Sequence, residues 1–548
     1  MFDLIIKNGR IIDGTGSPWY EADIGLKGEK IVKIGYLAGT DAHRIIDAEK
    51  RFICPGFVDI HSHTDLLCTI PKEQKRDYFI GRITQGITTE INGNCGVGVA
   101  TVTDSSRSLI RGICSFFSPE HVDWQWSSFE SYLDNLGNVG QIANVGTLIS
   151  HGEIRVAAMG VKSEIPERAE MRQMKRLVRE AMEHGAFGMS TGLIYPPGMF
   201  SHTKELAELA KEVAKYGGIY TSHIRASSDI SIPSVQELLE VGWKADVHVH
   251  HSHHGAAGKD NWWKLDKTIA MEEQARENGL PVTFDVIPYN FATTGMVVLF
   301  PPWAMEGGVN NLIQNLRNET ARENIRWEIE NTIPGWPPWI KGRWGQNYVR
   351  DVGWDNLQIA SVASEKNKDC EGLNLMEYAE LKNKSPFDAA ADLMITEQGK
   401  VTVFIHAISG DIHNENPLEK LLTHPMSAII TDAYDLGRGK PHPAAYGAFP
   451  RVLNHFVKEK KILRLEEAIR KMTSYPAQII GIFNRGIIRE SMMADLLIID
   501  MENIQDNATF EHPRKLSQGI DYVIINGMTV VEDGNLHDIF PGKVLRKV

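Results

Sequence analysis

Short apolar runs of strand length alternate with longer amphipathic stretches through most of the chain. Residues 2–6, 22–26, 31–34 and 45–47 read as β-strands separated by Gly and Asp turns, and residues 494–500 and 522–526 repeat that character near the other end. Each terminal set has too few strands to bury a face alone, so residues 1–54 and 485–548 are expected to build one small β-sandwich domain together. Between them, strand-like runs alternate with helical patterns such as 167–183, 203–215 and 465–472. That alternation predicts parallel βα units over residues 55–484. Eight strand candidates end near His61, Asn94, His151, Thr191, His223, His253, Tyr289 and Asp432. Eight is the count of a (β/α)8 TIM-type barrel, whose chemistry sits at the C-terminal strand ends. Residues 290–353 are too long for an ordinary loop after the seventh strand. They hold Trp303, Trp327, Trp336, Trp339 and Trp344, and are expected to form a lid.

The polar residues at those strand ends carry the candidate chemistry. Phe57, Val58 and Ile60 read as a buried strand, after which His61 and His63 share a face because side chains alternate. Two imidazoles so placed suit a zinc-like ion. Cys95 follows a glycine-rich strand end, His223 ends 220-YTSH-223, and Asp432 ends 428-AIITD-432. Residues 247–254 read VHVHHSHH; alternation puts His251 and His253 on one face and His248, His250 and His254 on the other.

Composition changes this picture little. A chain of 548 residues, 42% hydrophobic and 23% charged, is long enough for two domains or one large barrel with additions. A net charge of −12 gives no reason to expect a nucleic acid or an anionic membrane as partner. Five scattered cysteines are unlike a disulfide framework. No stretch resembles a signal peptide or membrane span, and the expected location is cytoplasmic. A homo-oligomer is compatible with the sequence and not specified by it.

Taken together, His61-Ser62-His63, 85-QGITTEINGNCG-96, 188-GMSTGLIYPPG-198, 220-YTSHIR-225, 251-HSHHGAAG-258, 299-LFPPWAMEGG-308 and 494-ADLLIID-500 resemble the N-acyl-D-amino-acid deacylases (D-aminoacylases) of the amidohydrolase superfamily. The similarity runs from residue 1 to about residue 535. The resemblance implies His61, His63 and Asp432 around one metal position, His223 and His253 around a second, and Cys95 between them. It implies one or two zinc ions per subunit and a small-molecule amide substrate. Asp432 is the implied proton carrier. Tyr195, Arg225, Tyr289 and His254 are the candidate substrate-contacting residues.

Three departures bear on the substrate. Gly255 stands where the family carries Lys, Ala444 where it carries the Arg of His-Pro-Arg, and Ser227 where it carries Glu. The two missing cations would hold a substrate carboxylate, and Arg225, Lys259, Arg438 and Lys440 are candidates to replace them. The expectation is therefore an amidohydrolase for a linear N-acyl amine or N-acyl-amino-acid-like amide that departs from a true D-aminoacylase. The alternatives are a D-aminoacylase proper, a cyclic-amide hydrolase of the dihydropyrimidinase or hydantoinase kind, and a metal-free scaffold. Cys95 in place of a bridging lysine argues against the cyclic-amide reading, and the intact ligand set argues against the scaffold.

Overall fold

The computed structural model describes residues 1–119, 122–340 and 342–547. Eight parallel strands, here β1–β8 in chain order, surround the site: Phe57–Asp59, Ile87–Asn92, a bent strand in two pieces (Asn144–Thr147 and Ile149–Ser150), Gly188–Gly192, Ile219–His223, His248–His251, Val282–Val286 and Ser427–Ile429. The polar residues marked in the sequence lie at or beside these ends, or up to four residues beyond them. The second piece of β3 ends at Ser150, and the helix His151–Met159 begins at the next residue. The helices form for the reasons their patterns suggest. Arg168–Glu183 starts at a capping box of Glu167 and Glu170 and buries Met174, Val178, Ala181 and Met182 along one stripe.

The strands form two arcs rather than one closed ladder: β1-β2-β3 and β3-β4-β5-β6-β7-β8, with the two halves of β3 belonging to different arcs. The C-terminal tail explains the first interruption. The Val145 N–H donates to the Lys543 carbonyl at 2.8 Å and the Leu545 N–H to the Val145 carbonyl at 2.7 Å, so the tail occupies the lower edge of β3. Residues 543–547, which the sequence reading groups with the small domain, hydrogen-bond to Val145 and Gly185 of the βα units. At the second interruption, between β1 and β8, a side chain replaces the ladder. The Asp59 carboxylate accepts from the Thr431 N–H at 3.2 Å and the Thr431 hydroxyl at 2.6 Å, and is paired with Arg82.

Strands from both termini come together in one continuous nine-stranded sheet. Strand Phe2–Ile11 merges what would be two sheets. Its first half pairs with Ala42–Asp47 and its last residues with Phe52–Pro55, while its other edge follows Tyr20–Lys27 through a register shift. Period-two alternation then divides the burial: Leu496 and Ile498 join Leu4, Ile6 and Ile24 in a separate small core, and Leu497 and Ile499 face the main one.

The insertion after β7 extends well past residue 353. It runs to β8 and includes an antiparallel sheet of Ala292–Gly295, Leu357–Ser361 and Thr402–Ile405. Residue 341 of the expected lid lies outside the described residues. No helix among the described residues is long and apolar enough to cross a membrane.

Candidate functional site

Six of the sequence-marked side chains converge at the mouth of the ring. His61 and His63 follow β1, Cys95 follows β2, His223 ends β5, His253 lies two residues past β6, and Asp432 three past β8. Cys95 (φ 52°), His253 (φ 37°) and Asp432 (φ 46°) all adopt the left-handed backbone that non-glycine residues avoid. Such residues cluster where the surroundings hold them for function. The turn carrying Cys95 presses so closely on the end of β4 that a Cβ on Gly192 would lie 1.8 Å from the Cys95 carbonyl oxygen. Only glycine permits that approach.

Cys95 Sγ is 3.3 Å from His61 Nε2, 3.4 Å from His253 Nε2 and 3.6 Å from His223 Nδ1. Asp432 Oδ1 is 3.2 Å from His63 Nε2 and 3.4 Å from His61 Nε2. Two donor groups therefore share Cys95: one of His61, His63, Cys95 and Asp432, the other of Cys95, His223 and His253. Donors 2.0–2.3 Å from a tetrahedral ion stand about 3.3–3.7 Å apart, so imidazole, thiolate and carboxylate fit zinc here in spacing and chemistry.

The electrostatics agree. Burial opposes ionisation of the Cys95 thiol, but the His61 and His253 imidazoles, with hydrogen bonding from His223 and His253, hold it well below its usual value. Burial likewise works against the Asp432 carboxylate, and His61 and His63 still hold it below the ordinary range. His63 rises to about 10 because Asp432 and Cys95 outweigh its burial. The cluster attracts positive charge, and a divalent ion would displace these protons.

Asp285, on β7, was not singled out from the sequence. It is fully buried and accepts from His61 Nδ1 at 3.2 Å and His250 Nε2 at 2.8 Å, and it also holds the His253 backbone N–H. By fixing a proton on His61 Nδ1, it turns the bare Nε2 toward Cys95 and Asp432. The signal was present: a lone carboxylate inside the apolar run 282-VTFDVI-287 must be paired or costly. Asp285→Asn is expected to weaken metal binding about 10–100-fold, read by competition against a chromophoric chelator, with the circular dichroism spectrum unchanged. Unaltered affinity would deny it that role.

The strand alternation expected for the His-rich tract breaks down. β6 ends at His251, and the left-handed turn at His253 swings that ring inward to Cys95. His251 and His254 point away together toward Glu272.

The donors open onto a cavity of ≈1010 Å³, its mouth included. Its walls are largely apolar and aromatic, with Phe116, Ile194, Tyr195, Tyr289, Phe291 and Tyr348 among them, and among the described residues they include no Lys or Arg. Tyr195 is present, 2.8 Å from the Thr294 hydroxyl and edge-on to His223. Tyr289 is present with its hydroxyl lacking a partner. His254 borders the cavity, but its Nε2 is engaged by Thr268. Arg225 is not brought to the site: it is buried against Glu237 at 2.6 Å and stacked under Trp339. Lys259 is exposed on the surface. Arg438 and Lys440 line an adjoining cavity of ≈350 Å³ that shares Thr293, Asp432 and Tyr434 with the main one. Gly255 lies in the main wall, whereas Ala444 is buried at the start of the helix Ala444–Arg451 and is not part of it. The insertion contributes Phe291, Tyr348, Ile405 and Leu418 to the wall, but none of its five marked tryptophans.

Comparison with known proteins places this geometry. The chain is 30% identical over 548 residues to the N-acyl-D-glutamate deacylase of Alcaligenes xylosoxydans xylosoxydans, spanning 100% of this chain and 96% of that protein. It is 27% identical over 546 residues to the D-aminoacylase of the same organism, spanning 100% and 98%. Among solved structures it is similar to the N-acyl-D-glutamate deacylase of Bordetella bronchiseptica complexed with zinc and a phosphonate mimic of the tetrahedral intermediate. There the TM-score is 0.79 at 28% identity, over 100% of this chain and 99% of that one. It is also similar to a D-aminoacylase described as defining a novel subset of amidohydrolases, with TM-score 0.81 at 27% identity over the whole of both chains. The profile of the amidohydrolase family matches residues 44–285 and 363–531, which takes in five of the six converging side chains from one segment and Asp432 from the other; the chain belongs to the amidohydrolase family.

Proposed function

We propose that this amidohydrolase cleaves a linear amide whose parts near the scissile bond carry no free carboxylate, using a metal-activated water. The supporting observation is the pairing of the Cys95-centred donor cluster with a largely apolar cavity that, among the described residues, has no lysine or arginine in its wall. We assign His61, His63, Cys95 and Asp432 to one metal position and Cys95, His223 and His253 to the other, on a barrel of the TIM type. A zinc ion held there supplies a water acidic near neutrality and polarises the substrate carbonyl. Asp432 takes the proton of the attacking water and delivers it to the leaving nitrogen, which departs poorly without it. Tyr195 is positioned beside His223 to donate its phenolic proton to the developing oxyanion. The aromatic walls bind the acyl chain and exclude water.

Activity as a D-aminoacylase proper is the second reading. It is favoured by the names of the relatives and by Arg438 and Lys440 in the adjoining cavity. Kinetics on one preparation separate the two, comparing an N-acyl-D-amino acid with its carboxamide and methyl ester. One charge-assisted hydrogen bond contributes about 1.5–3 kcal/mol. Without it, a carboxylate entering the largely apolar cavity loses hydration with no charged partner in return, and the neutral analogue is expected to be at least about tenfold better in kcat/KM. Faster turnover of the free acid would establish the second reading instead. Restoring the family lysine at Gly255 is a poor converse test. A Cβ there would already lie 3.1 Å from Ser409 Oγ and 3.2 Å from Ile408 Cγ2.

A further inference from the structure

The remaining part of the His-rich tract forms a second converging group, on the opposite side of the chain from the Cys95 cluster. His251 at the end of β6, His254 in the loop after it and Glu272 on the helix Lys264–Glu277 are all buried, with 2%, 3% and 0% of their surfaces exposed. His251 Nδ1 lies 2.7 Å from Glu272 Oε1, and His254 Nδ1 lies 3.3 Å from Glu272 Oε2. The two imidazoles are stacked with centroids 4.1 Å apart. One donor atom from each residue lies within 4.8 Å of the other two.

The hydrogen bonds around this group do not close. The Thr268 hydroxyl donates to the Leu265 carbonyl at 3.2 Å, so at 2.9 Å it can only accept from His254 Nε2–H. With Nε2 so engaged, His254 Nδ1 is the nitrogen that faces the Glu272 carboxylate. His254 Nδ1 and Glu272 Oε2 are accordingly both buried without a hydrogen-bond partner. Two lone pairs 3.3 Å apart in a buried site repel unless a positive charge lies between them. A divalent ion would take both unpartnered atoms and displace the proton of the 2.7 Å His251 Nδ1–Glu272 Oε1 hydrogen bond, and two imidazoles with one glutamate form an established zinc donor set. The 3.3 Å separation also equals the edge of a zinc tetrahedron, about 3.3 Å for ligands at 2.0–2.1 Å.

We propose that His251, His254 and Glu272 form a further binding site for a divalent cation of the zinc class, distinct from the Cys95 cluster. An ion there ties the loop 252–258 to the helix Lys264–Glu277. It thereby braces the left-handed turn that aims His253 at Cys95. The site is a positioning device and takes no substrate.

Metal counting tests the proposal without any substrate, so its failure is distinguishable from failure of the proposed amide hydrolysis. Full-length wild type, Glu272→Gln and His254→Asn are loaded with cobalt, freed of excess by gel filtration and analysed by mass spectrometry and absorption. Each variant is expected to lose one equivalent of cobalt relative to wild type while keeping the near-ultraviolet thiolate-to-cobalt band of the Cys95 cluster. Equal cobalt content in all three proteins overturns the proposal. Loss of the thiolate band together with the equivalent does so too, because the two sites would then not be separate. Should Glu272→Gln fail to fold, His254→Asn decides alone. Crystals of wild type grown with zinc give a second readout: an anomalous peak at the zinc edge among the three side chains supports the site. No peak there removes the ion and overturns the proposal.

Discussion

Asp432→Asn is expected to lower kcat by about 10²–10⁴-fold, the usual contribution of a positioned proton carrier, while most of the bound metal stays in place. The carboxylate is ionised against the opposing effect of burial because His61 and His63 face it. It therefore enters the reaction able to accept a proton. Its backbone position does not depend on the side chain's charge, since the Asp432 N–H donates to the His61 carbonyl at 3.0 Å. The amide of asparagine preserves shape and one oxygen donor but cannot act as a base at neutral pH. Four imidazoles and the Cys95 thiolate remain as donors in the variant. Metal content and kcat are measured on the same sample. A near-normal kcat with metal retained would show that another group carries the proton.

Removal of metal is expected to abolish turnover. Purified protein should hold one or two equivalents of zinc or a similar ion in the Cys95 cluster, and dialysis against a strong chelator should bring activity to background. Zinc added back should restore it. Nothing in the cavity wall replaces the ion: among the described residues it contains no lysine or arginine to polarise a carbonyl, and Tyr195 can assist the oxyanion but cannot activate the water. An amide carbonyl attacked by unassisted water reacts too slowly to measure on this timescale. Protein shown by mass spectrometry to be metal-free, yet fully active, would end the metal-dependent reading. Wild type and Asp285→Asn can be stripped in parallel. The variant is expected to lose metal at lower chelator concentration.

Much of the site was legible in the residues because the chemistry is local and the strands are short. A strand that ends in a metal-ligand residue advertises both its own end and the face its side chain takes. His61, His63, Cys95, His223 and Asp432 were marked in this way, and the fold brings all five together with His253. Arg225 was equally visible next to His223, and the fold spends it elsewhere, on Glu237 and on the carbonyls of Met199 and Ser201. An arginine's reach is long enough that adjacency in sequence says little about where its guanidinium ends. Asp285 escaped notice because its importance lies in what it touches from across two strands.

The sequence by itself determined the alternation of strands and helices and the donor types at the strand ends. Each follows from short-range periodicity or from residue chemistry, and neither needs distant contacts. Only the tertiary structure decided how the ring is interrupted, because that depends on a C-terminal tail hundreds of residues away in sequence taking the hydrogen bonds of Val145. It also decided which histidines of residues 247–254 face the Cys95 cluster. Alternation holds only while the backbone stays extended, and the left-handed turn at His253 reverses it just past the end of β6. The two sets of imidazoles part there, one toward Cys95 and Asp285 and the other toward Glu272, because buried nitrogens go where a thiolate or carboxylate can meet them.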